Sequence, residues 1–186
     1  MVTERVRQNR LIRRKAARVE LLLSDCDGVL TDGGVYYSER GEELKRFSVR
    51  DGMGVALLRN VALVETGVLS GERSPSLLKR LEKLEIAEIH LGLFDKRAAL
   101  QEILERRRLR PEQVAFIGDD INDLEVLRSV GLSACPRDAL PPVIRAVDYV
   151  CRLGGGQGAF REFAEVVIAG RTSGGGIPSS STIKED

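Results

Sequence analysis

A chain of 186 residues, 42% hydrophobic and 31% charged, is long enough for one well-buried domain and cramped for two. Its formal net charge of +1 argues against a nucleic-acid partner, and no apolar run approaches the ~20 residues that span a bilayer, which argues against a membrane protein. Cys26, Cys135 and Cys151 have no paired spacing, which predicts a reducing, cytoplasmic setting; with His90 the lone histidine, any metal is a hard ion held by oxygen.

In chain order, residues 1–18 form a basic N-terminal segment without the apolar core of a secretory signal. VELLLS (19–24) predicts a first strand, which stops at Asp25-Cys26-Asp27-Gly28. Carboxylates at the edge of a core must be paired or bound to metal. GGVYYSERGEELKRFSV (33–49) reads as a β-hairpin around a turn at Glu39–Gly41, carrying Val35, Tyr36, Tyr37 and Phe47. The stretch from Asp25 to Ser70 leaves no room for a cap domain beside that hairpin and the helix after it.

VALVETGVLS (61–70) predicts the next strand, ending at Ser70-Gly71. SPSLLKRLEKLE (74–85) is a helix, with Leu77, Leu78, Leu81 and Leu84 on one face, Ser74 as N-cap and Pro75 in the first helical position. AEIHL (87–91) is a strand with His90 near its end, read as a core or surface residue, and DKRAALQEILERRR (95–108) a helix opening at Lys96. Strands follow at QVAFIG (113–118), VGLSA (130–134) and VDYVC (147–151), and residues 171–186 have the composition of a disordered tail. The main domain is thus expected over 19–170.

Strand–helix alternation of this kind predicts an α/β fold, a parallel sheet with helices on both faces. In such sheets ligands collect at the carboxyl ends of the strands. Asp25, Asp27, Ser70, Lys96 and the GDDIND segment (118–123) are all expected there. Oxygen ligands of this kind suit Mg²⁺. The residue types also suit phosphoryl transfer. Asp25 can attack phosphorus, Asp27 can protonate the leaving oxygen and later deprotonate water, and Ser70 and Lys96 can hold the phosphoryl oxygens.

DCDGVLTDG, LSG at 69–71, Lys96 and GDDIND resemble, in that order, the four motifs of the haloacid dehalogenase superfamily. The resemblance implies a Rossmann-like fold with a small β-hairpin flap and no cap domain. It also implies Asp25 as nucleophile, Asp27 as acid/base with its backbone carbonyl on the metal, and Asp119 as the other metal carboxylate. Asp120 and Asp123 either support the site or, for Asp120, cap the following helix.

DGVLTDG, FSVRDGMG (47–54), the missing cap and GGGQGAFREF (154–163) further resemble the capless 3-deoxy-D-manno-octulosonate 8-phosphate phosphatases. Members are homotetramers whose hairpins pack together, which implies a homotetramer here. Where those enzymes usually carry Arg after the motif-two glycine, this chain has Glu72; with Arg80 and Lys83 it is more similar to a sister branch acting on nine-carbon acids, the sialic acid relatives. The implied substrate is a phosphorylated keto-deoxy sugar acid, with nine carbons by this likeness and eight as the alternative. Gly71, Glu72, Arg80, Lys83 and Arg50 are the candidate substrate contacts. Arg80 and Lys83 also fit the polar face of a helix, and Arg50 also fits an ion pair across the hairpin. Gly154, Gly155, Gly156 and Gly158 read as flexible backbone near the site or as a turn before the last helix.

Two rivals come from other classes. A phospho-receiver domain normally has adjacent acids and its acceptor Asp on strand three, unlike this chain. A non-catalytic oligomerisation module partnering a sugar-nucleotide synthetase need not retain mutually repelling charges such as Asp25, Asp27 and Asp119.

Overall fold

The structure, a computed structural model, describes residues 2–172. In chain order it contains α1 (Val2–Ala16), β1 (Leu21–Ser24), β2 (Val35–Ser38), β3 (Gly41–Lys45), α2 (Val49–Leu57), β4 (Glu65–Ser70), α3 (Pro75–Lys83), β5 (Glu88–Leu91) and α4 (Lys96–Arg107). It continues through β6 (Val114–Ile117), α5 (Leu124–Ser129), β7 (Leu132–Cys135), α6 (Pro141–Ile144), β8 (Tyr149–Val150) and α7 (Ala159–Thr172).

The leucine run at the start of the domain shows why a parallel sheet forms. Successive side chains of a strand point to opposite faces. Leu22 packs with α1, α2, α3 and α7 residues such as Ile12, Val55, Leu77 and Phe163, whereas Leu21 and Leu23 pack with Leu100 and Ile103 of α4 and Val126 of α5. Both faces are therefore apolar and covered, which is the condition for a continuous hydrophobic strand. Each fully buried Leu or Phe in these clusters contributes about 1.5–3 kcal/mol relative to an exposed one.

The sheet order is β5-β4-β1-β6-β7-β8, with every pairing parallel. Strand order therefore reverses at β1, flanked by β4 and β6, and the loops after these three strands meet at one edge. The hairpin β2–β3 is a separate two-stranded sheet, as expected from its turn. Ser74 caps α3 by accepting from the Leu77 amide at 3.2 Å, also as expected.

One expectation needs correction, one is extended, and one lies outside the described residues. The run 61–64 is not strand. A π-helical turn at Leu58–Ala62 continues α2 and ends at Leu63 in the left-handed conformation, so β4 starts only at Glu65. Alternation of apolar residues there reflects burial of Ala62 and Val64 around an exposed Leu63. Residues 1–18 are more than a basic tail, because α1 lies along α7 and places Ile12 and Ala16 in the core. The tail expected at 171–186 falls outside the described residues except for Arg171 and Thr172, which close α7.

Candidate active site

The carboxyl edge at β1 is built by backbone first. The Asp25 amide donates to the Ile117 carbonyl at 2.9 Å, so Asp25 prolongs the β1–β6 ladder and leaves its side chain at the sheet edge. Asp119 follows β6, and Ser70 ends β4 on the other side of β1. Lys96 opens α4, whose buried stripe is Lys96, Ala99, Leu100 and Ile103. A lysine in the first position of an apolar stripe is forced under the sheet edge rather than into water. Asp95 fixes the start of that helix by accepting from the Arg97 and Ala98 amides at 2.9 and 3.0 Å.

Lys96 Nζ lies 2.9 Å from Asp25 Oδ1 and 2.7 Å from Asp123 Oδ1. Asp123 is fully buried, and its other oxygen accepts from the Asp119 amide at 3.0 Å. Asp25, Asp119 and Asp123 each place one carboxylate oxygen within 4.8 Å of the others. One ammonium does not neutralise three acids. Burial, then the charge of Asp123, raises the Asp25 pKa to about 7 despite Lys96. Burial, followed by Asp25, Asp123 and Asp120, raises Asp119 to about 8. For Lys96, burial would lower the pKa, but Asp25 and Asp123 outweigh it and the net direction is up.

The donor set fits a hard divalent cation. Asp119 Oδ1 is buried with no hydrogen-bond partner, and oxygens of this kind are what Mg²⁺ binds. The backbone packs closely against Asp119. Gly28 has φ +83°, and a Cβ there would lie 2.0 Å from Asp119 Oδ2. A Cβ on Gly155 would lie 2.0 Å from the Gly28 carbonyl oxygen, and the Gly156 amide donates to the Val29 carbonyl at 2.9 Å. Gly154, Gly155, Gly156 and Gly158 are buried, and Gly155 and Gly156 pack against the loop that carries Gly28 and Thr31, which places this segment next to the site.

The family model for haloacid dehalogenase-like hydrolases matches residues 82–154. The 3-deoxy-D-manno-octulosonate 8-phosphate phosphatase of Yersinia pestis is 40% identical over 154 residues, covering 83% of this chain and 82% of that protein. The chain belongs to the octulosonate 8-phosphate phosphatase family of haloacid dehalogenase-like hydrolases. The cobalt-bound phosphatase of Haemophilus influenzae superposes with a TM-score of 0.81 at 38% identity, over 84% of this chain and 91% of the other. The phosphatase of Moraxella catarrhalis, in complex with a magnesium ion, a phosphate ion and KDO, gives 0.84 at 30% identity, over 87% and 92%. The protein is thus an enzyme, a phosphoric monoester hydrolase with a Rossmann-like fold.

Within that family fold the other sequence candidates divide. Ser70 is buried, with its Oγ accepting from the Glu72 amide at 3.2 Å. Asp27 lies outside the three-carboxylate cluster and meets Thr31 and Lys45. Asp120 caps the turn after it by accepting from the Ile121 amide at 2.6 Å. Gly71 and Glu72 are exposed on the loop after Ser70, Lys83 is exposed on α3, and Arg50 is exposed in the first turn of α2. Arg80 has a partner inside the chain: its guanidinium donates to the Ser48 carbonyl at 3.2 Å and lies 5.9 Å from the Phe47 ring centroid. Phe47 accordingly packs against the core instead of joining the exposed hairpin face. His90 lies on β5, 3.1 Å from Glu88 Oε2.

Sequence reasoning gave Asp123 too little weight and missed Lys45. The signal for Asp123 was present in GDDIND, as the residue after the turn; for Lys45 there was no local signal.

Proposed function

We propose that the protein is a Mg²⁺-dependent phosphatase that removes the terminal phosphate of a 2-keto-3-deoxy sugar acid, the eight-carbon 3-deoxy-D-manno-octulosonate 8-phosphate. The Asp25–Lys96–Asp119–Asp123 cluster supports the chemistry, and the 40% identity to an octulosonate phosphatase over 154 residues supports the substrate.

Asp25 attacks phosphorus from the end of β1, forming an aspartyl-phosphate. Asp27 gives a proton to the departing alkoxide and then takes one from the hydrolytic water. Lys96 and Ser70 hold the phosphoryl oxygens, and Asp123 holds Lys96 in place. Asp25, Asp119 and the Asp27 carbonyl would hold Mg²⁺, which supplies charge neutralisation for phosphate and keeps the crowded carboxylates ionised.

The nine-carbon 9-phosphate is the second reading, favoured by Glu72 after Gly71. It is weakened at Arg80, whose guanidinium already serves Ser48 and Phe47, and at Lys83, which is exposed. Phosphate release from both substrates, compared as kcat/KM, tests the choice. A higher value for the nine-carbon acid reverses it, and turnover that survives exhaustive chelation removes the metal role.

The assembly proposed is a homotetramer through residues 34–49. Val35, Tyr36, Tyr37 and Leu44 of the hairpin are 38%, 60%, 73% and 63% exposed. Apolar exposure on a two-stranded edge calls for a covering partner. A fully active monomer by light scattering at assay concentration would refute it. The setting proposed is cytoplasmic: Cys26, Cys135 and Cys151 are free and buried. No helix among the described residues is long and apolar enough to cross a membrane.

A further inference from the structure

Asp27 is not held by the sheet. Its Oδ1 accepts from Thr31 Oγ1 at 3.1 Å, within its own loop, while its Oδ2 accepts from Lys45 Nζ at 2.5 Å. Lys45 ends β3, so this second contact comes from the hairpin. The two partners differ in exposure: the Asp27 side chain is 27% exposed and that of Lys45 is 0% exposed. An ammonium taken fully out of water must be neutralised by the acids packed on it. Those acids are Asp27 and Glu42, the latter 3.7 Å away. Glu42 Oε1 in turn accepts from Ser74 Oγ and, at 3.1 Å, from Ser76 Oγ. Ser74 also caps α3. A chain of polar contacts therefore runs from the loop after β1, through the base of the hairpin, to the helix that follows Ser70.

Because its side chain is out of solvent, Lys45 presents no surface to a substrate. It acts on the reaction only through what it holds. We propose that Lys45 is a positioning residue for Asp27: it fixes the orientation of the acid–base carboxylate, and Glu42, held by Ser74 and Ser76, fixes Lys45. The hairpin thereby sets the geometry of proton transfer. This rests on the assignment of Asp27 as general acid–base, and the test separates the two.

The experiment compares kcat/KM for the sugar-acid phosphate, whose alkoxide leaving group needs a proton, with p-nitrophenyl phosphate, whose phenolate does not. The full chain is used with saturating Mg²⁺. General acid catalysis contributes about 10²- to 10⁴-fold, so Asp27→Asn should depress the alkyl substrate far more than the aryl one. Lys45→Met should shift the ratio in the same sense by about ten- to a hundred-fold, as expected when a catalytic group is present but misplaced. Lys45→Arg should recover most of that ratio, because it keeps the charge and the reach. If Asp27→Asn harms both substrates equally, the acid–base assignment and this proposal fall together. If Asp27→Asn discriminates while Lys45→Met harms both equally or neither, Lys45 is structural only and this proposal alone falls. Should Lys45→Met fail to fold, Glu42→Gln is read in the same way: a smaller shift of the same sign upholds the proposal, and an unchanged ratio overturns it.

Discussion

Asp25 and Asp27 are separated by a single residue, Cys26, yet different regions of the molecule hold them. Asp25 belongs to the sheet edge. Its amide is in the ladder, its carboxylate faces Lys96, and its neighbours are acids brought in by β6 and the turn after it. Asp27 belongs to the hairpin, through Lys45. The sheet edge is an over-crowded charge cluster enclosed by core strands, a donor set that fits a divalent cation. In the hairpin contact one buried ammonium is held by two acids, Asp27 at 2.5 Å and Glu42 at 3.7 Å. On the proposed roles of Asp25 and Asp27, nucleophilic attack and proton transfer are mechanically separable, and each region should respond to its own perturbation.

The largest expected effect is at the sheet edge. Asp25→Asn should reduce phosphate release by on the order of 10⁴-fold or more, since an amide cannot form the aspartyl-phosphate. The same substitution should raise the metal-free melting temperature at pH 8, because it removes one of the acids that burial and crowding disfavour. Near-normal turnover would overturn the covalent role, and a lowered melting temperature would show that the Lys96 pair outweighs the crowding.

Gly155→Ala tests whether the two regions share one support. The added Cβ would meet the Gly28 carbonyl oxygen at 2.0 Å, a backbone atom that cannot step aside. Denaturant unfolding should show a loss of about 1–3 kcal/mol, typical of overpacking. Turnover should fall with it, since Gly28 follows Asp27 directly. Unaltered stability would mean that the glycine segment does not brace the loop.

The charge crowding at the sheet edge has a pH signature. Asp25 at about 7 and Asp119 at about 8 stand above the ordinary 3.8. Above the ordinary value the unfolded chain has released these protons while the metal-free native protein keeps them, so stability falls as pH rises. That fall should run from about pH 4 to about pH 8. Asp32 and Glu162 are shifted downward, so their contributions are complete below this window's upper part and do not oppose the trend there. Thermal scans at low and high pH, with and without Mg²⁺, should show metal stabilisation growing with pH. A metal-induced shift independent of pH would contradict the crowding.

The smallest effect is expected at the rim. Glu72 is exposed, and exposed substitutions away from special features usually change free energies by less than about 0.5 kcal/mol. Glu72→Arg should therefore leave the eight- to nine-carbon kcat/KM ratio within about twofold. A loss of about fivefold or more specific to the nine-carbon acid would sharpen the comparison differently, by adding a rim that reads the sugar.

Much of this protein is local, and so was legible in its sequence. The Leu21–Ser24 run, the Ser74-Pro75 helix start, the Leu77/Leu81 stripe and the hairpin turn all follow from periodicity and capping, which act over a few residues. Strand–helix alternation then places Asp25, Ser70 and Asp119 at one sheet edge, because parallel strands present their carboxyl ends together.

Tertiary structure alone decided what those side chains meet. Lys96 reaches Asp123 across 27 positions, and Lys45 reaches Asp27 across 18. Neither contact has a sequence period, since each depends on where the chain returns. The same holds for Phe47, turned inward beneath Arg80, and for α1, whose basic composition hides the one small apolar face, Ile12 and Ala16, that docks it on α7. Pattern reveals which faces must be buried. Which charge ends beside which is set only when the sheet, the hairpin and the helices close around the same edge, because desolvated charges must then find one another.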